Sequence, residues 1–197
     1  MRLVLATTNP GKAAELADVL AAGLEDLVLV PRPPGLPEPE EEGDTLAANA
    51  RIKARAVVEA TGEAAVADDT GLEVDALDGR PGLLAARFAG PGATFADNIA
   101  KLLAELVGVQ DRRARWRTVA LVSFPDGTDV QAEGTCDGVI TEAPRGSGGF
   151  GYDPVFVPDE GDGRTLAELS RQEKNALSHR GRAFRALAER LAGVVSA

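Results

Sequence analysis

The sequence predicts a mixed fold of α/β or α+β class, because strand-like and helix-like segments alternate along its whole length. Two further observations agree. Apolar residues are 44% and charged residues 26% of 197 positions, the balance of a globular chain with a sizeable core. Cap and turn residues such as Asn9, Pro10, Gly23 and Gly62 stand where the periodic segments start or stop. The length suits one large domain or two closely packed lobes.

Leu3 to Ala6 reads as a buried strand. In TTNPGKAAELADVLAAG, Ala13, Leu16, Ala17 and Leu20 recur at helical spacing, with Asn9 as N-cap, Pro10 in the first position and Gly23 at the stop. A Pro- and Glu-rich loop, PRPPGLPEPEEEGDT, leads to a second helix from about Thr45 to Ala60, ended by Gly62. AAVADDTGLEVDAL reads as a strand, a turn at Asp68 to Gly71 and a second strand with Leu72, Val74 and Ala76 on one face. GRPG is a turn. Thr94 and Asp97 have the spacing of a capping box and open a helix carrying Ile99, Leu102, Leu103 and Leu106. RWRTVALVSF and VQAEGT read as strands paired across PDGT, with GVI and PVFV as further strands. The last helix runs from about Ser178 to Leu191, with Phe184, Leu187, Ala188 and Leu191 inward.

No apolar run approaches the roughly 20 residues that cross a bilayer, and Leu3 to Ala6 is too short for a signal-peptide core. The single cysteine, Cys136, excludes an internal disulfide or a multi-cysteine zinc site. A reducing cytoplasm is the expected setting, with no membrane partner. The net charge of −10 argues against a nucleic-acid polymer as partner. A small phosphorylated ligand is compatible with it, because such a ligand needs only a local cluster of cations.

The cations themselves are informative. Of 21 Lys and Arg residues only four are lysines, at 12, 53, 101 and 174, so a lysine can mark a place that needs a compact point charge. Lys12 lies at the start of the first helix, where the backbone dipole disfavours a cation and attracts an anion. It either shares a phosphate with the helix end or turns away into water. Lys53 falls on the inward stripe of the second helix with Leu46, Asn49, Ala50, Ala54 and Val57, while Arg51, Arg55 and Glu59 take the outer face. Either an acid or anion meets it there, or the helix is rotated enough to bring it to the rim. Asp68 and Asp69 follow apolar AAVA at a strand end, where α/β proteins place ligands, and their hard oxygens suit Mg²⁺. Lys174, His179 and Arg180 cluster at the start of the last helix, and His179 is the only histidine. It reads equally as a structural residue and as a functional one.

Gly146 to Gly151, GSGGFG, matches G-x-G-x-x-G, yet the extended stretch YDPVFVP follows it and no helix opens from the third glycine. It is not a dinucleotide-binding loop. Its glycines are expected to form a flexible loop that lets backbone approach a ligand, with Phe150 and Tyr152 as stacking surfaces.

Taken in order, LATTNPGK, EEGDTLAANARIKA, ADDTGLEVDALDGRPGLLAARFAG, GSGGFGYDPVF and EKNALSHRGRA resemble the inosine triphosphate pyrophosphatases, the RdgB-like noncanonical purine NTP pyrophosphatases. The likeness runs from Leu5 to Ala183. It implies an elongated mixed β-sheet flanked by helices, a single domain over residues 1–197 with two lobes around a central cleft, and a homodimer. It implies Mg²⁺-dependent hydrolysis of ITP, dITP and XTP to the monophosphate and pyrophosphate, cleansing the nucleotide pool. Carried over by position, Thr7, Thr8, Asn9, Pro10, Gly11 and Lys12 would contact substrate, as would Thr70, Phe150, Gly151, Tyr152, Asp153, Lys174, His179 and Arg180. Glu41 and Asp69 would hold the metal, with Glu42 a competing acid beside Glu41; Asp69 would also be the general base. Lys53 and Asp68 would complete the phosphate and metal shell. Lys12, Lys53 and Lys174 would balance the triphosphate charge, and donors such as Arg180 would read the 6-keto oxygen of the base. Two other readings remain: a pyrophosphatase for other modified bases, and a non-catalytic nucleotide-binding module.

Overall fold

In the computed structural model, which describes residues 1–195, the opening apolar run becomes β1 (Arg2–Leu5). The first helix, α1 (Pro10–Gly23), starts where Asn9 caps it. After β2 (Val28–Val30), α2 (Leu46–Thr61) runs between its N-cap Thr45 and the left-handed Gly62. Then come β3 (Ala65–Val74), a two-residue β4 (Pro81–Gly82) and α3 (Phe95–Glu105). The capping box of Thr94 and Asp97 is formed at the start of α3. Two long strands, β5 (Arg113–Ser123) and β6 (Asp129–Ile140), are followed by β7 (Phe156–Pro158), α4 (Arg171–Leu177) and α5 (His179–Val195). The strands form one mixed sheet in the order β2-β1-β3-β5-β6-β7, with β4 paired to β3. The pairs β1/β2 and β1/β3 are parallel, whereas β3/β4 and β6/β7 are antiparallel. The class is α/β, as the alternation of segments predicts.

The chain divides into two compact units: Met1–Asp69, Thr118–Gly134 and the chain from Arg180 on; and Thr70–Arg117 with Thr135–His179. In the first unit the sheet is covered on both faces. Leu3 and Val66 pack with Leu16, Leu20, Phe184, Leu187 and Leu191, so α1 and α5 share one face. Val4, Ala65 and Ala67 pack with Ala50, Ala54 and Val57 of α2 on the other. Neighbouring residues of a strand point to opposite faces, and a parallel strand covered on both sides reads as an unbroken apolar run. This is why RLVL and AAVA lack alternation. The core of the second unit gathers Leu72, Leu102, Leu106, Trp116, Ile140, Tyr152 and Phe156.

Three sequence expectations are corrected here. No turn interrupts Asp68 to Gly71; β3 is one continuous strand of 10 residues, and the two acids lie within it rather than at its end. Gly71 serves a close approach instead, since a Cβ there would lie 3.0 Å from the Gly82 carbonyl oxygen on paired β4. VQAEGT and GVI belong to a single strand, β6. In PVFV, a short 3₁₀ turn (Asp153–Val155) precedes β7.

Candidate active site

β3 positions the acids. Because Asp68 and Asp69 are consecutive, their side chains leave the strand on opposite faces and meet different helices. On the α1/α5 face, Asp68 Oδ2 accepts from Lys12 Nζ at 3.0 Å and from Arg180 Nε at 3.3 Å. Arg180 also donates through a terminal nitrogen to Glu15 Oε2 at 2.7 Å. On the α2 face, Lys53 Nζ lies 2.8 Å from Asp69 Oδ1 and 3.1 Å from Glu41 Oε1. Asn49 reaches Asp69 Oδ2 at 3.4 Å, and its own Oδ1 accepts from the Gly43 N–H at 2.9 Å. One amide thus ties the acidic loop to the strand. Asp68, Asp69, Glu15, Asn49 and Arg180 are all buried.

Burial would raise the Asp68 carboxyl, but Lys12, Arg180 and Lys53 outweigh it and hold Asp68 well below the usual carboxylate range. Asp69 goes the other way. Burial lifts it, Glu41 adds to the lift, and Lys53 only partly offsets them. Two neighbouring acids are therefore set apart, one a fixed anion and the other a better base. Burial also pushes the two lysines down. For Lys53 the acids Asp69, Asp68 and Glu41 reverse that, so its pKa is raised. For Lys12 burial prevails over the attraction of Asp68. Its charge is short of compensation, a condition that a nearby phosphate would relieve.

The anion expectation at the helix start needs correction in one respect. The N–H groups of Gly11 and Lys12 are already taken by Asn9 Oδ1, at 2.9 and 3.1 Å, and that of Ala13 by the Asn9 carbonyl. Pro10 has none to offer. The phosphate reading therefore rests on the Lys12 side chain rather than on open helix amides. Just before the helix, the Thr7 hydroxyl oxygen accepts from the Asn9 N–H at 3.1 Å and the Thr8 hydroxyl donates to Glu38.

The second unit holds the other group of residues. Asp153 Oδ2 accepts from Lys174 Nζ at 2.5 Å and from the Phe150 N–H at 2.7 Å. The Lys174 ammonium lies 4.6 Å from the centre of the Phe150 ring, a cation–π contact. Lys174 therefore already has a carboxylate beside it, and the structure groups it with Asp153 and Phe150, whereas Lys12 and Lys53 belong to the first unit. Tyr152 is buried, donating from its hydroxyl to the Ala85 carbonyl oxygen at 2.9 Å, so it is a core residue, and Phe150, only half-buried, is the accessible ring. The GSGGFG loop is also tied down: the Gly148 N–H bonds to the Ala167 carbonyl at 2.9 Å. Gly149 has φ +68°, and a Cβ there would sit 2.0 Å from Asp153 Oδ2. Its glycines make room for the chain itself. Gly149→Ala is expected to displace the Asp153 carboxylate and cost about 1–3 kcal/mol of stability, read from the denaturant midpoint.

Thr70, Phe150, Gly151, Tyr152, Asp153, Lys174 and His179 fall in the second unit, and the other candidate residues in the first. Two of the four boundaries fall at the Asp69–Thr70 and His179–Arg180 peptide bonds, between neighbouring candidate residues. Glu41, not exposed Glu42, meets Lys53. Two partners were not singled out from sequence. Glu15 shares a helix face with Lys12 and Val19, at the i, i+3 and i+7 spacing that marks one side of a helix. Asn49 stood on the inward stripe of α2, and a buried amide there signals a hydrogen-bonding task.

Among the described residues no three His, Cys, Asp or Glu side chains are grouped as an all-protein metal cage. Mg²⁺ does not need one, since it commonly takes one or two carboxylates and fills its shell with water and phosphate oxygens. Glu41 and Asp69 fit that role, because their oxygens already converge on one cation, Lys53 Nζ. Asp68 fits it less well, being committed to Lys12 and Arg180 on the other face.

Fold and site define an α/β protein that sets buried carboxylates and lysines against one another, a donor set suited to a phosphorylated small molecule. The chain belongs to the Ham1 family, whose model matches residues 3–190. It is 50% identical over 190 residues to a dITP/XTP pyrophosphatase of Streptomyces coelicolor, covering 94% of each chain. To the dITP/XTP pyrophosphatase of Nitratidesulfovibrio vulgaris it is 53% identical over 195 residues, covering 95% of this chain and 94% of the other. Among solved structures, a HAM1 protein from Coxiella burnetii superposes with a TM-score of 0.87 at 39% identity, covering 98% of this chain and 99% of that one.

Proposed function

We propose that this chain hydrolyses noncanonical purine nucleoside triphosphates (dITP, XTP and ITP) to the monophosphate and pyrophosphate. The observation that carries the chemistry is the Lys53 ammonium between Asp69 and Glu41, 2.8 and 3.1 Å away. The choice of substrate follows the dITP/XTP pyrophosphatases that match at 50% and 53% identity over nearly the whole of both chains.

A triphosphate carries about four negative charges, which repel an attacking water until they are balanced. Lys12, whose charge is incompletely compensated, and Lys53 supply fixed positive charge in a buried setting, where each interaction is stronger than in water. Asp69, with its raised pKa, takes a proton from the water as its oxygen bonds to the α-phosphorus. The bond from that phosphorus to the bridging oxygen breaks, and pyrophosphate leaves. Mg²⁺ held by Glu41 and Asp69 would add charge compensation at the phosphate oxygens. Asp68 keeps Lys12 and Arg180 in place.

Phe150 offers a ring for base stacking, and backbone N–H groups or donors such as Arg180 would pair with a 6-keto oxygen. A 6-amino group would face donors there and be rejected, by about 10⁴-fold in a site built to hydrogen-bond. Purified protein with Mg²⁺ is expected to release pyrophosphate from dITP far faster than from dATP or dGTP. Equal rates would exclude this selectivity, and preference for a modified pyrimidine would favour the alternative. The cytoplasmic setting and homodimer belong to the same proposal, on the strength of the single cysteine and the family likeness.

A further inference from the structure

The second unit contains an aromatic arrangement that the phosphate chemistry described above does not use. Trp116, on β5, lies with its indole face against the imidazole of His179, ring centres 4.8 Å apart and planes only 13° from parallel. The indole is itself held from two other directions. Tyr152 meets it edge-on at 5.9 Å and Phe156 is tilted against it at 6.2 Å. Tyr152 in turn is anchored through its hydroxyl to the Ala85 carbonyl oxygen. Both Trp116 and His179 are buried.

The indole nitrogen makes this arrangement costly. Trp116 Nε1 is buried and has no hydrogen-bond partner among the described residues. An unsatisfied buried donor is unfavourable and needs an explanation. A phenylalanine would fill the core without it, so filling the core does not explain the indole. What the indole adds is the larger flat face, and that face is the one turned to His179.

We propose that Trp116 is a positioning residue for His179: its indole fixes the plane of the imidazole and so keeps a ring nitrogen aimed at the purine of the substrate. This rests on the reading of the protein as a purine nucleotide pyrophosphatase in which His179 touches substrate. Trp116 itself touches no reacting atom. It removes the rotational freedom of a side chain at the first position of α5, and so it sharpens the discrimination between 6-keto and 6-amino purines. The phosphate chemistry of Lys53 and Asp69 does not depend on it.

Trp116 is the only tryptophan in the chain, so its emission reports on the stack directly. His179→Ala is expected to change that emission; an unchanged spectrum would show that the rings do not stack in solution and would overturn the proposal. In kinetics, Trp116→Leu is expected to raise KM for dITP and lower the dITP-to-dATP preference about tenfold, the scale of one stacked aromatic pair, with kcat little altered. Trp116→Phe, which keeps a smaller flat face, should recover the preference only in part. Leu102→Ala is the control, a core change in the same unit outside the stack. If it melts at a comparable temperature and loses the same preference, or if Trp116→Leu keeps it, Trp116 is a packing residue only. Should the parent protein release no pyrophosphate from dITP, the proposed reaction fails, and calorimetric titration with dIMP and dAMP decides the positioning role. A preference for dIMP that Trp116→Leu abolishes supports it; no preference in the parent overturns it.

Discussion

Asp69→Asn is expected to lower the turnover of dITP by about 10²- to 10⁴-fold, the contribution typical of a positioned general base, while nucleotide still binds. The substitution keeps shape and removes both charge and basicity. Asn49 and Lys53, which flank the Asp69 carboxylate at 3.4 and 2.8 Å, would still find a polar group of the same size. Lys53 would retain Glu41 and gain freedom to meet a phosphate. Saturating kinetics with dITP and calorimetric titration under the same conditions separate the two effects. Loss of binding in step with turnover would make Asp69 a binding residue rather than the base. Full activity would require a different base. Asp68→Asn provides the contrast, since Asp68 is held as a fixed anion by Lys12 and Arg180. Its removal should act mainly on stability and on the placement of Lys12.

The extent to which this was legible in sequence follows from where each interaction lies along the chain. Caps are local chemistry, so α1, α2 and α3 could be read from Asn9 and Pro10, Thr45 and Gly62, and Thr94 and Asp97. α4 has the same signature in Ser170 and Glu173, yet at seven residues it is too short to show an apolar stripe. β2 has three residues and exists because Arg2, Leu3 and Val4 pair with it, a contact that no local pattern announces. The turn expected at Asp68 and Asp69 failed for the same reason. Two acids inside a strand are unfavourable until cations arrive, and here they come from Lys12, Lys53 and Arg180, all distant in sequence. The lysines themselves were visible because each contradicts its surroundings, Lys12 at a helix start and Lys53 on an inward stripe. Their partners were not, because the choice of Glu41 over Glu42, and the use of Glu15, depends on side-chain reach.

Arg180→Met is expected to be the most destabilising single change in the first unit, by about 3–5 kcal/mol, the cost of removing one partner of a buried ion pair. In a chain of this size that corresponds to a fall in Tm on the order of 10 °C. Arg180 joins Glu15, on α1, to Asp68, on β3, at 2.7 and 3.3 Å, and all three side chains are at most 6% exposed. Methionine fills the space but takes the guanidinium away from two buried carboxylates, of which Asp68 keeps Lys12. Adding Glu15→Gln should recover part of the loss, since one uncompensated charge is then removed, and the double variant thus separates charge from packing. The pH dependence has a definite sign. The folded-state pKa of Asp68 lies below its unfolded value, so its ion pairs stabilise fully above the ordinary carboxylate pKa of about 3.9 and progressively less as pH falls through the folded value. The deficit of Arg180→Met should therefore be greatest near neutrality and narrow as pH falls below the ordinary carboxylate range. Urea midpoints of parent and variant at neutral pH and at pH values below about 3.9 measure it. A variant that melts within a degree or two of the parent at neutral pH would mean that the buried charges find other compensation, and the structural role of Arg180 would be overturned.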